Sequence, residues 1–153
     1  MTFLEKICSA FHLAKLRYAV VGGHAVALHG AVRGTIDIDF VFEWRLDTLK
    51  QAEAILNGLG LISSLPISAN DIYQFRQEYI ENRNLIAWNF YNPTDLSQQV
   101  DIIINYALKA NMTTTMQVGV VPVQVLNKKA LIKMKQNSGR EQDLEDVAAL
   151  ERL

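Results

Sequence analysis

Val21-Gly-Gly-His-Ala-Val-Ala-Leu-His-Gly-Ala-Val-Arg-Gly-Thr-Ile-Asp-Ile-Asp39 is the stretch on which the fold turns. The apolar run Tyr18 to Val21 that leads into it reads as a short buried strand, and Gly22-Gly23 breaks it sharply into the next element. His24 to Ala31 reads as a short helix ended by Gly30. Thr35 to Phe42 then alternates polar and apolar residues, with Ile36, Ile38 and Phe40 on one face and Asp37 and Asp39 on the other. Carboxylates two apart on a strand leave the same face, with Cβ atoms roughly 6–7 Å from each other. Like charges so close repel unless a cation or a proton lies between them, and hard oxygen donors suit Mg²⁺ or Mn²⁺ better than zinc.

Outward from this stretch, Asp101 is the next residue that demands a reason. It lies between Val100 and Ile102-Ile-Ile104, inside a predicted strand Gln99 to Ile104, where an unpartnered acid is costly to bury. Joining Asp37 and Asp39 at one metal site would supply that reason. A second strand, Leu85 to Tyr91, precedes it across the turn Asn92-Pro-Thr-Asp95. Helical spacing marks Phe3 to Leu16, closed at Arg17, and Leu46 to Leu59, with a stop at Gly58 or Gly60. Met116 to Leu126 reads as a strand or hairpin, and Lys128 to Asn137 and Arg140 to Leu153 as two closing helices. Leu61 to Asn82 stays open, with Ile72 to Tyr79 either strand or helix. The expected architecture is α/β (α+β): a mixed sheet of about four to six strands packed by helices, in one domain over residues 1–153.

Composition bounds the partners. Fifteen Lys plus Arg against sixteen Asp plus Glu give a net charge of -1, so the chain has no bulk attraction to nucleic acid or an acidic membrane, and any polyanion site must be local. The lone Cys8 excludes an internal disulfide framework and fits a reducing compartment. Glu5 and Lys6 interrupt the N-terminus where an export signal would be apolar, and glycines and histidines break Tyr18 to Val32 below the length of a membrane span. A cytoplasmic protein without membrane attachment is expected.

Taken together, the double glycine, His29-Gly30, Arg33-x-Thr35, Asp37-Ile-Asp39, the lone Asp101, and the closing Leu131-Ile-Lys-Met-Lys135 with Arg140-x-x-Asp143-Leu-x-Asp146 resemble the nucleotidyltransferase superfamily of the DNA polymerase β type. The likeness is greatest to the small bacterial members, the minimal and abortive-infection toxin-like nucleotidyltransferases, and only residues from about 44 to 92 fall outside it. The resemblance implies transfer of a nucleoside monophosphate from an NTP to an acceptor hydroxyl, with Asp37, Asp39 and Asp101 holding Mg²⁺ or Mn²⁺ and Asp101 also assisting deprotonation. It implies that Gly22 and Gly23 present backbone N–H groups to the triphosphate, that Arg33 and Thr35 steady phosphate or the entry to the metal strand, and that Lys135 reaches the triphosphate. The implied acceptor is a tRNA or a partner protein, and the setting a toxin–antitoxin or phage-defence pair with a cognate partner. One departure from the family pattern is His24, where many members have a serine that contacts phosphate. The alternative is a nucleotide-binding or partner-binding module that keeps the fold without turnover. Individually the features have simpler explanations: a histidine packed against a helix for His24 and His29, and for Arg140 and Asp143 an ion pair worth under ~1 kcal/mol.

Overall fold

The structure, a computed structural model, describes residues 1–31 and 37–153. Helix α1 (Phe3–Leu13) starts where the Glu5 amide donates to the Thr2 hydroxyl at 3.2 Å. It stops at Ala14, a turn before the predicted end, because Lys15 enters the left-handed region at φ 58°. Strand β1 (Tyr18–Val21) follows as expected and is buried along its whole length. Helix α2 (Gly22–Leu28) begins on the first glycine rather than at His24. Strand β2 (Ile38–Phe42) is shorter than predicted, and Asp37 sits on a bend just before it.

The span left open in the sequence forms its own part of the sheet. After α3 (Leu46–Gly58) come a two-residue strand β3 (Ile62–Ser63) and two short helices, α4 (Ala69–Gln74) and α5 (Arg76–Arg83). Ser68 and Asp71 form a capping box at the start of α4, and Asn84 ends α5 in the left-handed region. Strands β4 (Ala87–Asn92) and β5 (Asp95–Ala107) form a hairpin across the predicted turn, β6 (Thr113–Val118) and β7 (Val121–Leu126) form a second, and α6 (Lys128–Ser138) and α7 (Glu141–Glu151) close the chain.

Among the described residues the strands form one seven-stranded mixed sheet in the order β3-β4-β5-β2-β1-β7-β6. The extra strands relative to the expected four to six are β3, too short to leave a periodic signal, and the resolution of Met116 to Leu126 into two. Strands β1 and β2 are antiparallel, while β2 with β5 and β1 with β7 run parallel. Among the described residues the buried hydrophobics, Val147 apart, form one cluster. Part of it is aromatic: the Phe11 ring on α1 lies 5.2, 5.2 and 5.5 Å from those of Tyr18, Phe40 and Phe42. Burying each such ring contributes roughly 1.5–3 kcal/mol. This packing fixes which face of β2 is core, and so turns Asp39 to the other.

Candidate active site

Three central strands carry the site at one end of the sheet. Asp39 pairs with Val21 across the β1–β2 ladder and with Asp101 across the parallel β2–β5 ladder, so two acids distant in sequence occupy one rung. On β5 the buried Val100, Ile102 and Ile104 alternate with Asp101, Ile103 and Asn105, and the second set lines a cavity of about 610 Å³. The same cavity is lined by Gly22, Gly23, Asp37, Asp39, Lys135 and Arg140. Of the sequence-predicted site residues, Arg33 and Thr35 lie outside the described residues; all the others meet at this cavity.

Gly22 shows why the turn needs glycine. Its φ is +65°, and a Cβ there would overlap the Asp39 carboxylate and come within 2.9 Å of its Cγ. The carboxylate is thus cradled against the backbone at the start of α2, whose preceding residue, Val21, offers no side-chain cap to the first N–H groups. Asp101 is held from the other side, since the Asn89 amide donates to its Oδ1 at 3.0 Å from the directly opposed position on β4.

The electrostatics of the three acids follow from this crowding. Burial, then the charges of Asp101 and Asp37 and a carboxyl–carboxyl hydrogen bond with Asp101, push Asp39 up to about 7, against a smaller downward pull from Lys135. Asp37 is also raised, by burial first and Asp101 second, with His24 pulling the other way. Among the described residues no three His, Cys, Asp or Glu side chains form a ready-made metal cage. The donor set nevertheless fits Mg²⁺ or Mn²⁺: hard oxygens, accumulated negative charge and an adjoining cavity, the surroundings in which Mg²⁺ takes one or two carboxylates and completes its shell with water and phosphate.

Across the cavity lies a contrasting group. Lys135, 7% exposed, is paired with Asp146 at 2.9 Å and Asp143 at 3.3 Å. Arg140 donates from Nε and an Nη to the two carboxylate oxygens of Asp143 at 2.7 and 3.2 Å, and its backbone N–H also donates to Oδ2 at 3.2 Å. Burial pushes Asp143 up, but Arg140, a hydrogen bond from Ser138 and the Lys135 charge outweigh it and hold the carboxyl down to about 2. The pair Arg140–Asp143 is therefore more than a surface contact, because the acid is buried and shared with a buried lysine. The Lys135 ammonium at the cavity wall is already bound to two carboxylates.

Sequence reasoning missed Asn89, Asn105, Tyr106, Asn137 and Ser138. Asn89 was findable, since it interrupts Trp88 and Phe90 on a strand as Asp101 interrupts its own. His29 takes the simpler explanation, its Nε2 donating to the Leu126 carbonyl at 2.8 Å. Trp44 stacks with Tyr73 at 6.5 Å, and the Arg76 guanidinium lies 4.1 Å over its ring while Nε donates to the Ile104 carbonyl. That stack fastens α4 and α5 to β5. No helix among the described residues is long and apolar enough to cross a membrane.

No protein-family model matches the chain, and no curated protein matches it in sequence. Solved structures do. The lincosamide antibiotic adenylyltransferase LnuA, bound to lincomycin, is similar with TM-score 0.66 and 15% identity over 97% of this chain and 94% of its own. The antibiotic-resistance factor ANT(2'')-Ia gives 0.65 and 14% over 97% and 80%. An antigenic nucleotidyltransferase-like protein from Paracoccidioides brasiliensis gives 0.61 and 16% over 96% and 72%. At such identities the likeness establishes architecture, and by that architecture the chain is a protein of the nucleotidyltransferase fold.

Proposed function

We propose that the chain is a divalent-metal-dependent nucleotidyltransferase that moves a nucleoside monophosphate from an NTP to an acceptor hydroxyl. The observation that carries the reading is the shared rung of Asp39 and Asp101 against the Gly22 backbone, with Asp37 beside it. Asp37, Asp39 and Asp101 would hold Mg²⁺ or Mn²⁺, which when bound neutralises charge on the phosphates and acidifies the attacking hydroxyl.

The rest falls to the chain's own groups. The Gly22 and Gly23 backbone N–H groups meet the phosphates at the start of α2, while Arg140 and Lys135 offset their charge from the opposite wall. Asp101, oriented by Asn89, accepts the proton of the acceptor hydroxyl. The hydroxyl oxygen bonds to the α-phosphorus as the bond to the departing pyrophosphate breaks. Arg33 and Thr35 complete the phosphate contacts in this reading.

For the acceptor we propose a hydroxyl of RNA or of a partner protein, within a toxin–antitoxin or phage-defence pair, on the resemblance of the motifs to the small bacterial nucleotidyltransferases. A small-molecule hydroxyl is a second reading, favoured by a specific observation: LnuA, a lincosamide adenylyltransferase, is matched over 94% of its length, so a chain of this extent has room for a drug acceptor. The test is transfer of label from α-labelled NTPs with Mg²⁺ to bulk tRNA, to the product of the neighbouring gene, or to lincomycin. Label in one acceptor and its loss in Asp39→Asn support the enzyme. NTP binding without label in any acceptor leaves the non-catalytic module.

A further inference from the structure

The strands that bear the carboxylates have a second cleft at their other ends. Strand β1 runs from Tyr18 in this cleft to Val21 at the acidic cavity, β2 leads from Asp39 to Glu43 just beyond its end, and β5 leads from Asp101 to Leu108 and Lys109 just beyond its end. The volume is about 450 Å³, within the range of roughly 300–1,000 Å³ typical of small-molecule sites. Its floor is rigid: Tyr18 is 2% exposed, and its hydroxyl accepts the Gln124 backbone N–H at 3.2 Å.

Its walls are cationic. Lys15 and Arg17 come from the end of α1 and the link to β1, Lys109 from the link between β5 and β6, and His12 completes that side. Glu43 is the sole acid among the lining residues, and it is divided between Arg17 at 3.5 Å and Arg45 at 3.7 Å. Neither Lys15 nor Lys109 has an ion-pair partner among the described residues. Three permanent cations thus face one shared acid in a chain whose net charge is -1. Two of these wall residues, Lys15 and Asn111, also stand in the left-handed region at φ 58° and 65°, uncommon outside glycine. The acidic cavity has the reverse balance, with Asp37, Asp39, Asp101 and Asp143 against Lys135 and Arg140.

We infer that this second cleft binds a small, multiply charged phosphate ester of about mononucleotide size, separately from the acidic cavity. Lys15, Arg17 and Lys109 supply charged donors, and the Asn111 amide and Thr113 hydroxyl neutral ones, which matches a ligand made of acceptor oxygens. Small size follows from the closed floor and bounded volume, and from the lack of an exposed aromatic among the lining residues for bases of a strand to stack on. Without a divalent ion the acidic cavity repels phosphate, so the two sites separate experimentally.

The test is calorimetric titration of the full chain with inorganic pyrophosphate and with AMP, in EDTA at low ionic strength, where surface charge is least screened. The expected result is saturable binding that weakens about tenfold or more in Lys15→Glu/Lys109→Glu, a shift of ~1.4 kcal/mol or more, and is unchanged in Asp39→Asn. Both lysines are exposed, and an unchanged thermal melt confirms that the double variant is folded. Absence of saturable binding, binding that survives the charge reversal, or binding lost in Asp39→Asn overturns the inference. So does a short single-stranded RNA that binds through these lysines when AMP and pyrophosphate do not, which would make the cleft part of a nucleic-acid track.

Discussion

Asp39 and Asp143 line the same cavity, and both are largely withdrawn from water, yet their surroundings push one carboxyl up to about 7 and hold the other down to about 2. Burial pushes both upward, so the difference lies in what each faces. Asp39 looks at two further acids and a glycine backbone, whereas Asp143 is clasped by Arg140 and shares the Lys135 ammonium with Asp146. Of two acid clusters on opposite walls, the one whose acids raise one another suits an external cation, and the other is paired with Lys135 and Arg140. In the proposed function the first holds the metal, and the second holds α6 on α7 while presenting Arg140 and Lys135 to the cavity.

The comparison can be broken at either wall. The largest expected effect is on transfer: Asp39→Asn lowers it by about 10²–10³-fold or more, since charge stabilisation at such sites is worth several kcal/mol, while urea unfolding shows the fold intact. Next is Lys135→Met, which removes the ammonium shared by the buried Asp143 and Asp146 and destabilises by roughly 3–5 kcal/mol in urea. Adding Asp143→Asn and Asp146→Asn to it restores much of the loss. If Lys135→Met leaves stability unchanged and only weakens NTP binding, the second wall is a binding element and the contrast fails.

A third, smaller effect is on pH dependence. A carboxyl raised in the folded state favours folding while protonated, so the Asp39 contribution is full below its ordinary value of 3.8 and lost as pH rises through about 7. The metal-free protein should lose roughly 1–3 kcal/mol of stability between pH 5 and 8, and Asp39→Asn should flatten that slope. Asp143 has the opposite sign: its contribution is present above 3.8 and lost as pH falls through about 2. The smallest effect belongs to Arg140→Gln, which raises KM for the NTP about tenfold, some 1.4 kcal/mol, and changes kcat less.

The first wall was the more legible in sequence, for a physical reason. Asp37 and Asp39 place two like charges on one face of an alternating pattern, and Asp101 breaks an apolar strand, so each asks for a partner that the local sequence does not supply. Gly22 announced a turn, although its close approach to Asp39 is a matter of ladder register and visible only in three dimensions. The second wall looked ordinary, because Arg140 and Asp143 three apart on a helix resemble any exposed pair until burial and Lys135 are added. Residues 61–82 hid for another reason: β3 has two residues and α4 six, too few for a periodic signal, and the Trp44–Arg76 stack that fastens α4 and α5 is a tertiary contact.

The wall of Asp37, Asp39 and Asp101 is proposed as a cation site, and titration of the full chain with Mn²⁺ at pH 7 in two buffers of different ionisation enthalpy tests it most directly. With Asp39 near half-protonated at that pH, binding should release a substantial fraction of a proton, and Asp39→Asn should abolish both the release and most of the affinity. Mn²⁺ binding that releases no proton and survives Asp39→Asn, or no binding at all with or without ATP, would contradict it.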